Sequence, residues 1–138
     1  MALRVTDEGE VIALKALLNH TAGQNLVLKL YQNNITPADT DTAATYTECT
    51  FTGYVNLTLT GASWTVTPGA PAVASYAQQT FTSSADQAAQ NAYGYFLTQL
   101  GSGTLVYAER FTGAPFVIQN NGDNIKVTPR ITAKDELD

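Results

Sequence analysis

The sequence is short of the residues on which most catalytic and metal sites depend. Among 138 residues there is one cysteine, Cys49, and one histidine, His20. A disulfide needs two cysteines and a structural zinc site takes about four Cys or His ligands, so one chain can form neither. Cys49 has no nearby His or Lys to activate its thiol, and His20 closes a predicted helix, where a cation favours the terminal carbonyls. We therefore expect no enzymatic activity and no cofactor.

Two kinds of carboxylate chemistry stay open. A glycosidase needs only two carboxylates, and the twelve acidic residues supply many pairs. Asp39 and Asp41 are spaced as in calcium loops, but the glycine and the bidentate Glu of a full loop are missing.

Charge is also scarce. Charged residues make up 14% of the chain, against about 25% in an average soluble domain, and the net charge is −5. The seven Lys and Arg residues are scattered, which argues against nucleic acid as a partner. No apolar run approaches the about 20 residues that span a bilayer, and the first residues do not resemble a signal peptide, so we expect a protein made in a cytoplasm without a membrane partner. We expect Thr, Ser, Asn and Gln to occupy the surface positions instead. Burying such side chains against another protein costs less free energy than burying an unpaired charged side chain.

The first twenty residues predict one short helix. Asp7 and Glu10 have the spacing of a capping box, and the apolar residues from Val11 to Leu18 then recur at helical spacing, which predicts a helix over residues 8–19. Residues 1–7 precede it and are either an arm that reaches a neighbour or an ordinary frayed terminus.

From residue 25 onward the pattern is that of short strands. The leucines at 26, 28 and 30 alternate with Val27, Lys29 and Tyr31 at a period of two, which predicts a strand. Further strands are predicted at residues 45–51, 54–60, 63–67, 73–81, 92–99, 104–111, 116–118 and 124–132. Residues 83–91 fit a loop or one helical turn, and we assign a loop. Turn residues at 101–103 and 120–123 predict hairpins. The chain should thus be one domain, residues 1–138: an antiparallel β-sandwich, jelly-roll-like or barrel, over residues 25–132, with one N-terminal α-helix.

The last strand has the clearest phase. Ile125, Val127 and Ile131 should face the core, while Lys126, Thr128, Arg130 and Thr132 should face solvent.

Many aromatic residues fall on the two strands joined by residues 101–103. Most should pack in the core, and a tyrosine on the outer face would serve as a contact in a subunit interface or stack on a sugar ring. Glu109 lies in an otherwise apolar strand, where a salt bridge to an Arg at an interface explains it best. The candidate interface residues are Met1, Leu3, Arg4, Tyr93, Tyr95, Tyr107, Glu109 and Arg110.

Six segments resemble small structural proteins encoded among the virion genes of tailed bacteriophages. They are residues 9–14 (GEVIAL), 26–37 (LVLKLYQNNITP), 51–54 (FTGY), 92–96 (AYGYF), 105–111 (LVYAERF) and 125–129 (IKVTP). The resemblance covers nearly the whole chain. It is specific for this group of sequences and less so for one role within the virion.

Head decoration, or cement, proteins are the members of that group with the most comparable role. The resemblance implies a β-rich domain, often trimeric, that binds the major capsid protein on the outer capsid surface and holds neighbouring capsomers together. It implies no catalytic residues. The alternative is a carbohydrate- or receptor-binding module of a phage fibre or tail, which would carry an exposed row of Tyr residues or Trp64.

Overall fold

The protein is mainly β, with antiparallel sheets and one α-helix in the residues described. The computed structural model describes residues 4–18, 20 and 22–133. The α-helix is α1 (Asp7–Leu17). The strands are, in chain order, β1 (Arg4–Val5), β2 (Leu26–Tyr31), β3 (Leu57–Leu59), β4 (Thr65–Thr67), β5 (Ala72–Ser75), β6 (Gln79–Thr82), β7 (Gln90–Ala92), β8 (Gly94–Gln99), β9 (Leu105–Arg110), β10 (Phe116–Ile118), β11 (Asn124–Val127) and β12 (Arg130–Ala133).

The helix begins one residue earlier than the sequence pattern indicated. Thr6, not Asp7, is the N-cap, and its hydroxyl accepts a hydrogen bond from the Gly9 amide at 3.1 Å. This satisfies one of the amides that every helix leaves unpaired at its start. The predicted helix extended to Asn19, which lies outside the described residues, and the observed helix ends at Leu17.

The largest sheet has five strands in the order β1-β9-β8-β2-β3, and all of its neighbours are antiparallel. β2 and β8 lie at its centre and pair along their whole length, from Leu26 opposite Gln99 to Tyr31 opposite Gly94. Both faces of β2 are buried: Leu28 and Leu30 pack into one cluster, and Tyr31 packs into another. A strand covered on both sides needs apolar residues at nearly every position, as β2 has.

The expected long strands at residues 73–81 and 124–132 are each broken in two. β5 pairs with β12 and β6 pairs with β11, so the two segments run side by side as one interrupted antiparallel ribbon. Pro129 lies at the interruption and has no amide proton to donate to a ladder. Its carbonyl accepts from the Tyr76 amide at 3.0 Å, which holds the two segments together at the break.

Two further strand predictions were wrong in extent. Residues 45–51 form no regular strand: a 3-10 helix, Ala43–Thr45, is followed by a single bridge between Glu48 and Tyr31. Only Leu57–Leu59 of the segment 54–60 is paired. Residues 83–89 form the loop that was expected, and β7 begins at Gln90.

The two predicted hairpins differ in outcome. Gly101 and Gly103, with φ of 97° and 72°, join the paired strands β8 and β9, as expected. Gly122, with φ of 92°, also makes a turn, but this turn joins β10 to β11, which pair with β7 and β6 respectively. The segment 120–123 is therefore a link between two sheets and not a hairpin.

The main core lies between one face of the five-stranded sheet and the paired strands β6, β7, β10 and β11. Its buried residues include Leu28, Leu97, Ile118, Ile125 and Val127. The predicted phase of the last strand is confirmed for Ile125 and Val127, while Ile131 is half-buried against the same cluster. Thr132 is half-buried too, where an exposed side chain was expected.

A bulge interrupts the pairing of β8 with β9. Leu97 lies opposite Tyr107 and the next residue, Thr98, lies opposite Leu105, so Val106 is the extra residue in β9. Its carbonyl accepts from both the amide and the hydroxyl of Thr6, each at 3.2 Å. The bulge therefore anchors the start of α1.

Candidate interaction surfaces

The described part of the predicted N-terminal arm belongs to the domain. Arg4 and Val5 form the edge strand β1, paired with Ala108 and Tyr107, and Thr6 is 1% exposed. The prediction of an arm that crosses freely to a neighbour is therefore wrong for residues 4–7, because strand pairing and the helix cap hold these residues in place. Met1 and Leu3, two of the candidate contacts, lie outside the described residues.

Arg4, a third candidate, is exposed and contacts a surface loop. Its Nη1 atom lies 3.3 Å from Oδ1 of Asp39, and both side chains are about half exposed. An ion pair this accessible contributes little to stability, so Arg4 is available to a partner at small cost.

Tyr95 and Tyr107 are core residues, which corrects their prediction as contacts with a partner. They are 3% and 0% exposed, and their rings pack edge to face with centroids 6.1 Å apart. Burial raises the pKa of both hydroxyls. The Tyr107 hydroxyl lies beside Tyr95, yet it makes no hydrogen bond of acceptable geometry with any described residue.

Tyr93 and Arg110 form a half-buried pair on the opposite face of the sheet. The Arg110 guanidinium lies over the Tyr93 ring, 5.1 Å from its centroid, and donates a hydrogen bond to the Ile35 carbonyl at 3.0 Å. Both side chains keep some exposure, so this pair remains a candidate contact.

Glu109 is half-buried, and burial raises the pKa of its carboxyl group, with Arg130 acting in the opposite direction. Glu109 and Arg110 are adjacent on β9 and so point to opposite faces of the sheet. Pairing of Glu109 with an Arg across an interface stays a prediction.

The two residues considered for catalysis occupy unrelated places. Cys49 is 1% exposed, and burial raises the pKa of its thiol to about 12, which suppresses the reactive thiolate. His20 is exposed just after the helix, where its amide donates to the Lys15 carbonyl at 2.8 Å.

Asp39 and Asp41 are engaged within the protein. Asp39 faces Arg4, and the Asp41 carboxylate accepts from the Tyr46 hydroxyl at 2.7 Å and from the Ala38 amide at 2.9 Å. Over residues 4–18, 20 and 22–133, no group of three or more His, Cys, Asp or Glu residues is arranged to hold a metal ion.

The orientation of α1 places its large apolar residues on the surface. The large apolar residues that recur at helical spacing point to solvent: Val11, Leu14, Leu17 and Leu18 are 49, 58, 80 and 73% exposed. Only Gly9 is buried in the helix and Ile12 is half-buried, and these two residues line a groove against the sheet together with the exposed Ala13 and Ala16. A Cβ atom at Gly9 would collide with the Val106 carbonyl, so glycine is what allows the helix to lie so close.

The helical spacing predicted α1 but did not indicate that its large apolar residues would lie on the surface. A signal was present: Gly9, Ala13 and Ala16 form a second stripe on the opposite side of the same helix. A helix with one small and one large apolar stripe has two faces able to pack, and here the stripe that contains Gly9 is the one that lies towards the sheet.

No protein-family model matches this sequence, and no curated protein is significantly similar to it. No helix in the described residues is long and apolar enough to cross a membrane.

Proposed function

We propose that the protein is a bacteriophage capsid decoration protein. In this role it forms a homo-oligomer, a trimer, and binds the major capsid protein on the outer surface of the virion, where repeated weak contacts stabilise the head. We further propose that its sheets constitute a jelly-roll-like sandwich. The resemblance of the sequence to virion structural proteins supplies the viral context.

The exposed apolar face of α1 is the observation that carries the proposal. Four large apolar side chains within eight residues, each about half exposed or more, form a contiguous patch. Patches of this kind on soluble domains mark sites of contact with other proteins. The scarcity of charge supports the same proposal, because uncharged polar side chains around a patch can be removed from water at a small cost in free energy.

The distribution of aromatic residues favours decoration over a sugar-binding fibre module. All seven tyrosines are buried or half-buried, and Trp64 is half-buried with its ring 5.2 Å from that of Tyr76. Phe116, 44% exposed, is the most accessible aromatic side chain in the described residues. Sugar rings stack on exposed planar aromatic side chains, and the part of the chain that the structure describes presents no row of them.

The proposal is tested with expanded, undecorated phage heads. The protein should sediment with the shells in many copies, saturate at a fixed ratio to the major capsid protein, and raise the temperature at which the shells break open. Unexpanded precursor shells are the matched control and should bind less, because their surface lattice differs.

Sedimentation equilibrium of the free protein completes the test. A strict monomer at high micromolar concentration that also fails to bind expanded shells would overturn the decoration role. Binding to glycans instead would transfer support to the fibre module.

A further inference from the structure

The outward stripe of α1 has the spacing of a coiled-coil seam. Asp7, Val11, Leu14 and Leu18 are separated by four, three and four residues, as are the a and d positions of a heptad repeat. All four are exposed. They lie on the side of the helix opposite Gly9, which faces the sheet.

The residues that flank this seam carry charges of both signs. Glu8 and Lys15 lie along one edge of the stripe, at the e positions of the same repeat. Glu10 and Leu17 lie along the other edge, at the g positions. These four side chains are exposed, and neither Glu8 nor Lys15 forms an ion pair with a described residue.

We propose that α1 pairs antiparallel with α1 of a second copy of the protein, around a two-fold axis that passes between Val11 and Leu14. In this register Val11 packs on Leu14 of the second copy, and the same contact recurs on the other side of the axis. Glu8 then lies within about one helical turn of Lys15 of the second copy, again twice. One short helix thus supplies both halves of a self-complementary surface.

Charge decides the direction of the pairing. A parallel pair would bring together two Asp7 side chains and two acidic first turns, since Asp7, Glu8 and Glu10 all lie there. It would also align the two helix dipoles, with like ends adjacent. The antiparallel pair places each acidic first turn beside the last turn of the other helix, which contains Lys15.

This inference concerns the same face of α1 that supports the proposed function, and it assigns that face to a second copy of the protein, so that contact with the shell would use other surfaces. The contact is two-fold, so it would join two monomers or, if a trimer forms through other surfaces, two neighbouring trimers. The helix has 11 residues, so the interface is small and the association weak.

Charge reversal tests both the partner and the direction. Lys15→Glu and Glu8→Lys should each weaken self-association by about tenfold, because each replaces two attractive pairs with two repulsive ones. Mixing the two variants in equal amounts should restore association, since one chain then carries a lysine at both positions and faces a glutamate at both positions of the other. The double variant should also associate like the original chain. The measurement is sedimentation velocity over a range of concentrations.

Two further variants test whether the apolar seam of α1 forms the contact. Leu14→Asp should abolish the two-fold association through α1, but not a trimer formed through other surfaces, and it should not unfold the domain because Leu14 is 58% exposed. Val55→Asp, at a residue 64% exposed in the loop before β3, is the matched control and should associate normally.

Three outcomes would overturn the inference. The first is that Leu14→Asp leaves the association through α1 unchanged. The second is that the Glu8→Lys variant associates as strongly as the original chain, which a parallel pair would give. The third is that the mixed Glu8→Lys and Lys15→Glu variants fail to associate. Binding of Leu14→Asp to expanded shells would leave the decoration role intact, so the two proposals fail separately.

Discussion

At the scale of single residues, alternation along a strand was a good guide where only one face is buried. Lys126 lies between Ile125 and Val127 on β11, and it is exposed while its two neighbours are buried, as the alternation requires. The guide failed for Tyr95 and Tyr107, whose hydroxyls suggested an outward position. Those rings lie in the core because β8 and β9 are covered on both faces, so polarity alone did not indicate which side met solvent.

Val127→Asp should lower the free energy of unfolding by about 3 kcal/mol or more. Val127 is 4% exposed, and the substitution would bury a carboxylate without a partner. Lys126→Asp, on the exposed side of the same strand, should change it by no more than about 0.5 kcal/mol. Urea denaturation of both variants makes the comparison, and equal losses would contradict the phase of β11.

Stability should fall as the pH rises above about 9. The pKa of Cys49 is raised from 9.0 to about 12 and that of Tyr31 from 10.0 to about 12, so the unfolded chain releases these protons first. Groups whose pKa is raised on folding contribute stability below the unfolded pKa, and this contribution is lost between the two values.

Chemical denaturation between pH 7 and 11 measures this dependence. Cys49→Ala should remove the earliest part of the decline, leaving the part that begins near the ordinary tyrosine pKa of 10.0. An unchanged curve for this variant would mean that the thiol is not protected.

At the scale of elements, α1 shows what periodicity leaves open. The spacing predicted a helix close to the observed Asp7–Leu17, but spacing alone does not say which of two apolar stripes meets the sheet. The choice depends on how near the helix can approach, and this depends on Gly9 and on the position of the Val106 carbonyl.

Gly9→Ala should destabilise the protein by more than about 1 kcal/mol and reduce helical circular dichroism. Alanine is the better helix former by about 1 kcal/mol, so a loss would show that contact with Val106 outweighs helix propensity. Gly23→Ala is the matched control, since a Cβ there would meet open space, and it should be neutral or slightly stabilising.

Thr6→Ala should cost about 1 kcal/mol of stability through loss of the helix cap. Thr6→Ser keeps a hydroxyl able to accept from Gly9 and to donate to the Leu105 and Val106 carbonyls, so it should recover most of that loss. Thermal unfolding of the two variants measures the difference. Equal destabilisation would indicate that the methyl group of Thr6, and not its hydroxyl, matters.

At the scale of the whole molecule, the sequence predicted the mainly β class and the single helix, and it missed how the strands divide among sheets. The sequence of residues 73–81, predicted as one strand, does not mark the point where the chain leaves one sheet and joins another. Pro129 was such a mark in the partner strand, but a proline near a strand end is equally common at an ordinary edge. Pairing between segments that are distant in sequence determines how the strands divide among the sheets, and the local sequence pattern does not encode this pairing.

Native-state hydrogen exchange should rank the elements by burial. Amides of β2 and β8, at the centre of the largest sheet, should exchange last, and those of α1 should exchange early in dilute solution because only Gly9 is buried there. Exchange measured by mass spectrometry on peptic fragments would show the order. Protection of α1 equal to that of β8 in a dilute monomer would contradict this account of the helix.

The bulge at Val106 has a consequence for how such a protein can change by insertion and deletion. Leu105 and Tyr107 are two residues apart, yet they belong to clusters on opposite faces of the sheet because Val106 is the extra residue between them. Deleting Val106 would restore a regular ladder and leave Leu105 and Tyr107 on their opposite faces, but it would remove the carbonyl that holds Thr6. The helix and the bulge should therefore be gained or lost together in descent, as one heritable unit.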